Sequence, residues 1–252
     1  MAPGDGGDME KSPAASNRMS LPGPVEVWAF QDIMSISPSL SSALGSSKPG
    51  AREAVPVDKL LFVCTGNICR SPMAEAFARA RLAGRPYDVS VASAGLLQEG
   101  LVPPGDAVSA MAGRGLDVGA HRSRSLALML SSPPPLPDLV VGMARGHARE
   151  AIEHDPEQFL SRTFTLKDLV RRAAAAGPRA AGEVLAGYLI RIGADRRVAD
   201  LVGLSRADDV ADPIGLGAAA FRRSAAEIED LVFAMVDLVW PDVPEPRGQP
   251  RT

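Results

Sequence analysis

The sequence predicts an α/β fold, a three-layer α/β/α arrangement with a central four-stranded parallel sheet. Three observations predict it. Short, continuous or nearly continuous apolar runs recur along the chain, as in parallel strands covered on both faces. Ala-rich and Arg-rich stretches with helical spacing separate those runs, which is the order of βαβ units. The first run passes into the first helical stretch through a short loop containing Gly and Asn, the residues that turn a chain tightly.

The apolar runs are Lys59–Val63, Val89–Ser93 and Leu139–Met143, with Phe164–Leu166 as a weaker fourth. Helices are predicted over Pro72–Ala83, Gly105–Gly115, Arg145–Asp155, Thr165–Ala176, Gly182–Arg191 and Leu216–Trp240. In the last, Phe221, Ile228, Leu231, Met235 and Leu238 recur at helical spacing and make one apolar stripe. The Pro-rich stretch Ser131–Pro137 ends whatever helix precedes it. Residues 171–207 hold at least one amphipathic helix, and the pattern is compatible with packing on the sheet or with a surface cap. No repeat of fixed period is present.

Residues 1–56 are rich in Gly, Ser, Pro and Ala, with one brief apolar stretch from Val25 to Met34. They are expected to be a disordered extension. A start nearer Met19 or Met34, or an artificial leader, is the alternative. Residues 57–243 are expected to form one catalytic domain, with 244–252 as a flexible tail.

Charge and composition exclude several classes. Lys and Arg total 27 against 30 Asp and Glu, a net charge of -3, so no basic field marks a nucleic-acid partner. No stretch approaches the roughly 20 apolar residues of a spanning helix, and no secretory signal opens the chain. A soluble, cytoplasmic protein is expected. The two cysteines, Cys64 and Cys69, are too few for a disulfide scaffold or a four-thiolate zinc site, and both fall in one short window.

That window is the chemically informative one. Residues 61–72, LFVCTGNICRSP, run from a predicted strand into a predicted helix. Ser71 suits an N-cap and Pro72 the first helical position. Upstream, Gly66 and Asn67 tolerate left-handed backbone, so the N–H groups of Thr65, Gly66, Asn67, Ile68 and Cys69 can turn inward beside the positive helix end. The result is a nest for a phosphate dianion. It lacks the ending of a nucleotide P-loop. A thiol in such a nest ionises well below its free value of about 8.5, which makes Cys64 a candidate nucleophile. Arg70 is placed to grip two phosphoryl oxygens, and Ser71 to donate to the thiolate. No metal or organic cofactor is expected, because nest and Arg70 supply the charge stabilisation.

The run VCTGNICRSPMAEA, with Ser93-Ala94-Gly95, Gly115-Leu116-Asp117, His121-Arg122, DLVVGM and Asp212-Pro213, resembles the low-molecular-weight protein tyrosine phosphatases over roughly residues 57–241. The resemblance implies hydrolysis of phosphotyrosine in protein substrates through a phosphocysteine on Cys64. It assigns the general acid and base to the Asp of an Asp-Pro pair. Residue types alone leave Asp208, Asp209 and Asp212 open, and the position of Asp212 before the last helix selects it. The resemblance further implies that Asn67 is held by Ser93 and His121, and that Cys69 can form a reversible, redox-protective disulfide with Cys64. His147 and His154 fall on a polar helix and receive no role.

Other readings are a protein-arginine phosphatase, a thiol-dependent arsenate reductase and a non-catalytic phosphate-binding module. Arginine phosphatases typically carry Thr where this chain has Ile68, and a branched apolar side chain there favours phosphotyrosine. Thiol-relay reductases need cysteines beyond Cys69, and none follows. A binder would be free to lose Cys64, Arg70 or Asp212, all of which are present. Two departures bear on the substrate: Ile214 stands where the family commonly has an aromatic residue, leaving Leu96 as a substitute wall, and residues 171–207 are longer than usual, so they could cover the site or bind a partner.

Overall fold

The computed structural model describes residues 57–131, 136–197, 200 and 205–242. The extension expected over 1–56, the tail over 244–252 and the centre of the Pro-rich stretch lie outside them. Four strands, β1 (Asp58–Cys64), β2 (Val89–Gly95), β3 (Leu139–Gly142) and β4 (Thr163–Thr165), form one parallel sheet in the order β2-β1-β3-β4. All four predicted runs are therefore strands, with ends that differ by one or two residues. Parallel strands need crossovers, and helices α1 (Arg70–Leu82), α2 (Gly105–Ala112), α3 (Leu126–Ser131), α4 (Arg145–His154) and α5 (Pro156–Phe159) supply them, while α6 (Leu166–Ala176), α7 (Leu185–Gly193) and α8 (Gly217–Val239) follow β4.

Alternation along β1 divides the core in two. Leu60, Phe62 and Cys64 join one apolar cluster with residues of α1, α2, α6, α7 and α8, whereas Leu61 and Val63 join a second with α3, α4 and α5. Because both faces are covered, the strand carries no polar face, and this is why it reads as a continuous apolar run. Phe62, Phe77, Phe164, Tyr188 and Trp240 are fully buried. Each such side chain contributes about 1.5–3 kcal/mol of burial free energy.

Several helix limits depart from the sequence expectation. The helix following β1 starts at Arg70 with Cys69 as its N-cap residue, so Ser71 and Pro72 lie inside the first turn instead of at the cap and first position. Ser71 is unavailable as a cap because its hydroxyl is engaged with a thiol, as described below. The short α3 and α5 were not anticipated, since six and four residues are too few to show a period. Around 185–193 the helix begins three residues later than expected, buries Leu185, Tyr188, Leu189 and Ile192, and so packs in the core. The chain preceding it is fixed at the start of β1, where Arg179 Nη1 and Trp240 Nε1 donate to Asp58 Oδ2 at 3.0 and 2.8 Å. That corner is at the opposite end of the strand from Cys64.

At the carboxyl end the register sets Cys64 beside Gly95. A Cβ at Gly95 would lie 2.8 Å from Asn67 N and 2.9 Å from Thr65 O, so the loop leaving β1 rests directly on β2 backbone. Substitution Gly95→Ala is accordingly expected to destabilise the fold by about 1–3 kcal/mol in urea unfolding. An unchanged midpoint would show that the loop can yield.

Candidate active site

The loop joining β1 to α1 reverses through a left-handed Asn67, with φ of 50°, the one described non-glycine residue of positive φ. Gly66, also expected to turn, does not adopt positive φ. Such a conformation costs of order 1–3 kcal/mol in a non-glycine residue and persists only where the surroundings hold it. Here they do. The buried Asn67 donates from Nδ2 to Ser71 Oγ at 2.9 Å and to Ser93 Oγ at 2.8 Å. Its Oδ1 accepts the Arg124 N–H at 2.8 Å. His121 Nε2 lies 2.8 Å from Asn67 O and 3.2 Å from Oδ1. Both are acceptors, so Nε2 carries the proton.

The direction of these bonds matters for Cys64. Ser71 receives a hydrogen from Asn67 and is left to donate its own to Cys64 Sγ, at 3.0 Å. Asn67 N–H donates to the same sulfur at 3.2 Å. Two donors thus converge on the sulfur at the amino end of α1. On the far side, Ser93 passes its hydrogen to Glu75 Oε2 at 2.5 Å, and Arg124 donates to the same oxygen at 2.7 Å. Glu75 went unnoticed in the sequence because an acidic residue in an Ala-rich helix reads as solvent-facing, yet it is buried.

Arg70 is buried and points over the same loop. Its Nη1 donates to Val210 O at 3.1 Å, and its Nη2 to Asp212 Oδ2 at 2.5 Å and Thr65 Oγ1 at 3.4 Å. The Nε is buried and without a partner among the described residues. The Nε–Nη2 edge, the fork that grips two oxygens of one oxyanion, therefore has one arm free and one arm on an exchangeable carboxylate.

Of the three aspartates left open by residue type, only Asp212 meets Arg70. Its carboxyl is 45% exposed, whereas Asp208 is buried against Arg145 and Arg171 and Asp209 accepts the Arg145 N–H at 2.9 Å. Around the loop stand aliphatic side chains. Leu96 and Leu97 donate backbone N–H groups to Thr65 O at 2.8 and 3.2 Å, and these two with Ile214 and Leu216 expose apolar surface. Cys69 is buried and free, as is Cys64. Burial, then the proximity of Cys64, pushes the Cys69 thiol up to about 12. Among the described residues no group of His, Cys, Asp and Glu is arranged to hold a metal ion.

Comparison with known proteins gives a consistent result. The profile of the family described as low molecular weight phosphotyrosine protein phosphatase matches residues 59–178. A probable low molecular weight protein-tyrosine-phosphatase, EpsP, of Ralstonia solanacearum is 38% identical over 103 residues, which are 40% of this chain and 66% of that protein. The chain spans 56–66% of the length of the first curated relatives it matches. A protein-arginine-phosphatase of Geobacillus stearothermophilus is 38% identical over 114 residues, 44% of this chain and 71% of that protein. The crystal structure of a low molecular weight protein tyrosine phosphatase from T. tengcongensis superposes with a TM-score of 0.51 at 28% identity, covering 71% of this chain and 98% of that one.

The site also contains a residue that residue types alone left without a role. His147, in the first turn of α4, is buried with Nε2 2.9 Å from Thr65 Oγ1. That hydroxyl also accepts from Arg70 Nη2, and the ring's Nδ1 is buried without a partner among the described residues. Burial and the nearby Arg70 charge push the imidazole down to about 4. A pKa below the unfolded value of 6.5 means that the fold favours the neutral ring. The stability this contributes is complete above pH 6.5 and is lost as pH falls through 4. Denaturant unfolding between pH 7 and 4 should lose at most about 3 kcal/mol from this group, and His147→Gln should flatten the profile over that interval. A variant with an unchanged pH slope would contradict the assignment.

Proposed function

Because the chain belongs to the low molecular weight phosphotyrosine protein phosphatase family, we propose that it hydrolyses phosphotyrosine in proteins through a phosphocysteine on Cys64. The observation that carries this reading is the half-open fork of Arg70 beside a sulfur that accepts two hydrogen bonds. The loop N–H groups of Thr65, Gly66, Asn67, Ile68 and Cys69, with Ser71, line the phosphate site, and Ser93 and His121 support it.

The proposed cycle has two steps. Cys64 attacks phosphorus in line while Arg70 exchanges the Asp212 carboxylate for two phosphoryl oxygens, spreading the developing charge. Asp212, released from the guanidinium, takes up a proton from solvent and gives it to the leaving oxygen as the phosphorus–oxygen bond breaks. Water then attacks the phosphocysteine, Asp212 takes its proton, the sulfur–phosphorus bond breaks, and orthophosphate leaves. Neither step requires a metal or an organic cofactor.

A protein-arginine phosphatase is the second reading, favoured by the covered arginine-phosphatase relative and by the aliphatic rim. Ile68, partly buried against the core beside the loop, argues for phosphotyrosine because it narrows the space for a guanidinium leaving group. We read residues 57–243 as the catalytic domain, with 1–56 and 244–252 as flanking segments and 171–207 as an insertion. Among the described residues no helix is long and apolar enough to cross a membrane, and we propose a cytoplasmic location.

Cys69 is proposed as the resolving thiol in peroxide. Once Cys64 becomes a neutral sulfenic acid, its contribution to raising Cys69 disappears, which eases the attack that closes the disulfide.

Three outcomes are expected. Cys64→Ser abolishes turnover of p-nitrophenyl phosphate, and wild-type activity in that variant overturns the mechanism. Asp212→Ala lowers kcat about 10²–10⁴-fold while retaining phosphate binding, and the activity ratio on phosphotyrosine and phosphoarginine decides between the two substrate readings. Peroxide inactivation reverses with dithiothreitol in the wild type and becomes irreversible in Cys69→Ala; equal recovery removes the disulfide from the scheme.

A further inference from the structure

Four residues before the acid, Asp208 is buried and accepts two guanidinium groups at once. Arg145 Nη2 donates to Oδ2 at 2.9 Å and Arg171 Nη1 to Oδ1 at 2.6 Å. Burial alone would raise the carboxyl, but the two guanidiniums overcompensate and hold it below the usual carboxylate range, so it is charged. The next two residues are tied as well. Asp209 Oδ1 accepts the Arg145 N–H, Val210 N–H donates to Met143 O at 2.8 Å, and Val210 O accepts from Arg70 at 3.1 Å. Three consecutive residues of the acid loop are thus fastened to α4, α6 and the chain leaving β3.

We propose that Asp208, clamped by Arg145 and Arg171, is a positioning residue that sets where the Asp212 carboxyl stands. The proposal rests on the phosphatase reading. A buried carboxylate is costly unless its partners remain, so the loop holds its place only while both guanidiniums do. A general acid must come within about 2.6–3.2 Å of the leaving oxygen, and a displacement near 1 Å costs about 10²-fold in rate. Arg171 reaches Asp208 from the first helix of the long segment before the acid loop, with its side chain 59% exposed. It is therefore dispensable for packing, and its removal tests the clamp without opening the core.

The expected signature depends on the leaving group. A poor leaving oxygen needs the proton in the transition state, and a good one barely does. In Arg171→Met and Asp208→Asn, kcat/KM, which reports only the steps up to phosphocysteine formation, should fall about 10–100-fold on phenyl phosphate while p-nitrophenyl phosphate loses no more than about threefold, with Arg171→Lys intermediate. An equal loss across leaving groups, or none, overturns the proposal. Amide hydrogen exchange gives an answer that does not depend on turnover: the Val210 N–H should exchange faster in both variants, with Phe62 and Val141 unchanged. Unaltered protection at Val210 refutes the clamp. Should the wild type cleave no phosphate ester, the phosphatase reading falls, and exchange at Val210 still decides whether the clamp exists.

Discussion

The left-handed turn at Asn67 is the constraint on which the other features depend. A loop of this length between strand and helix can bring its N–H groups to one point only if one residue reverses hand. That residue has a side chain, and the side chain is what fixes it: one amide group satisfies Ser71, Ser93, Arg124 and His121 together. The same bonds orient Ser71 so that its hydrogen faces the thiol. Conformational strain, loop shape and the electrostatics of Cys64 are therefore one problem with one solution. Gly95 completes it from below, since any side chain there would meet the Asn67 backbone.

Strand order explains why the remaining groups gather at this point. The chain leaves β1 toward β2 on one side and later adds β3 on the other, so the carboxyl ends of β1 and β3 border the place where the winding changes direction. The Cys64 loop leaves one of these strands, and the segment carrying His147 leaves the other. Arg70 spans the gap, touching Thr65 on one bank and Val210 on the other. Thr65 in turn meets His147, a contact across 82 residues of sequence.

Much of this was readable in the residues, and the unread part has a physical pattern. Strands β1 and β3 were visible because burial on both faces leaves an uninterrupted apolar run, as in KLLFV and LVVGM, whereas β2 and β4 carry Ser and Thr and gave a weaker signal. Ser71 misled as a cap: helix-capping statistics describe a hydroxyl with no other demand on it, and this one is claimed by Cys64 and Asn67. His147 and Glu75 were missed for a shared reason. Each sits in a helix whose neighbours are charged or small, and each is buried by partners far away in the chain. Asp212 was separable from Asp208 and Asp209 by family pattern, but its physical distinction, an exposed carboxyl on Arg70 beside two engaged ones, exists only in three dimensions.

The partners of Asn67 arrive from widely spaced parts of the chain, at positions 93, 121 and 124. During synthesis, residues 64–71 emerge well before them, with nothing to hold the reversed turn. At that stage Cys64 is an ordinary thiol on a flexible strand end. Its donors line up only after β2 has paired and the segment reaching Arg124 has closed over the loop. The hydrogen bonds that converge on Cys64 therefore cannot form before the tertiary structure around the loop is complete, which makes them a late reporter of folding.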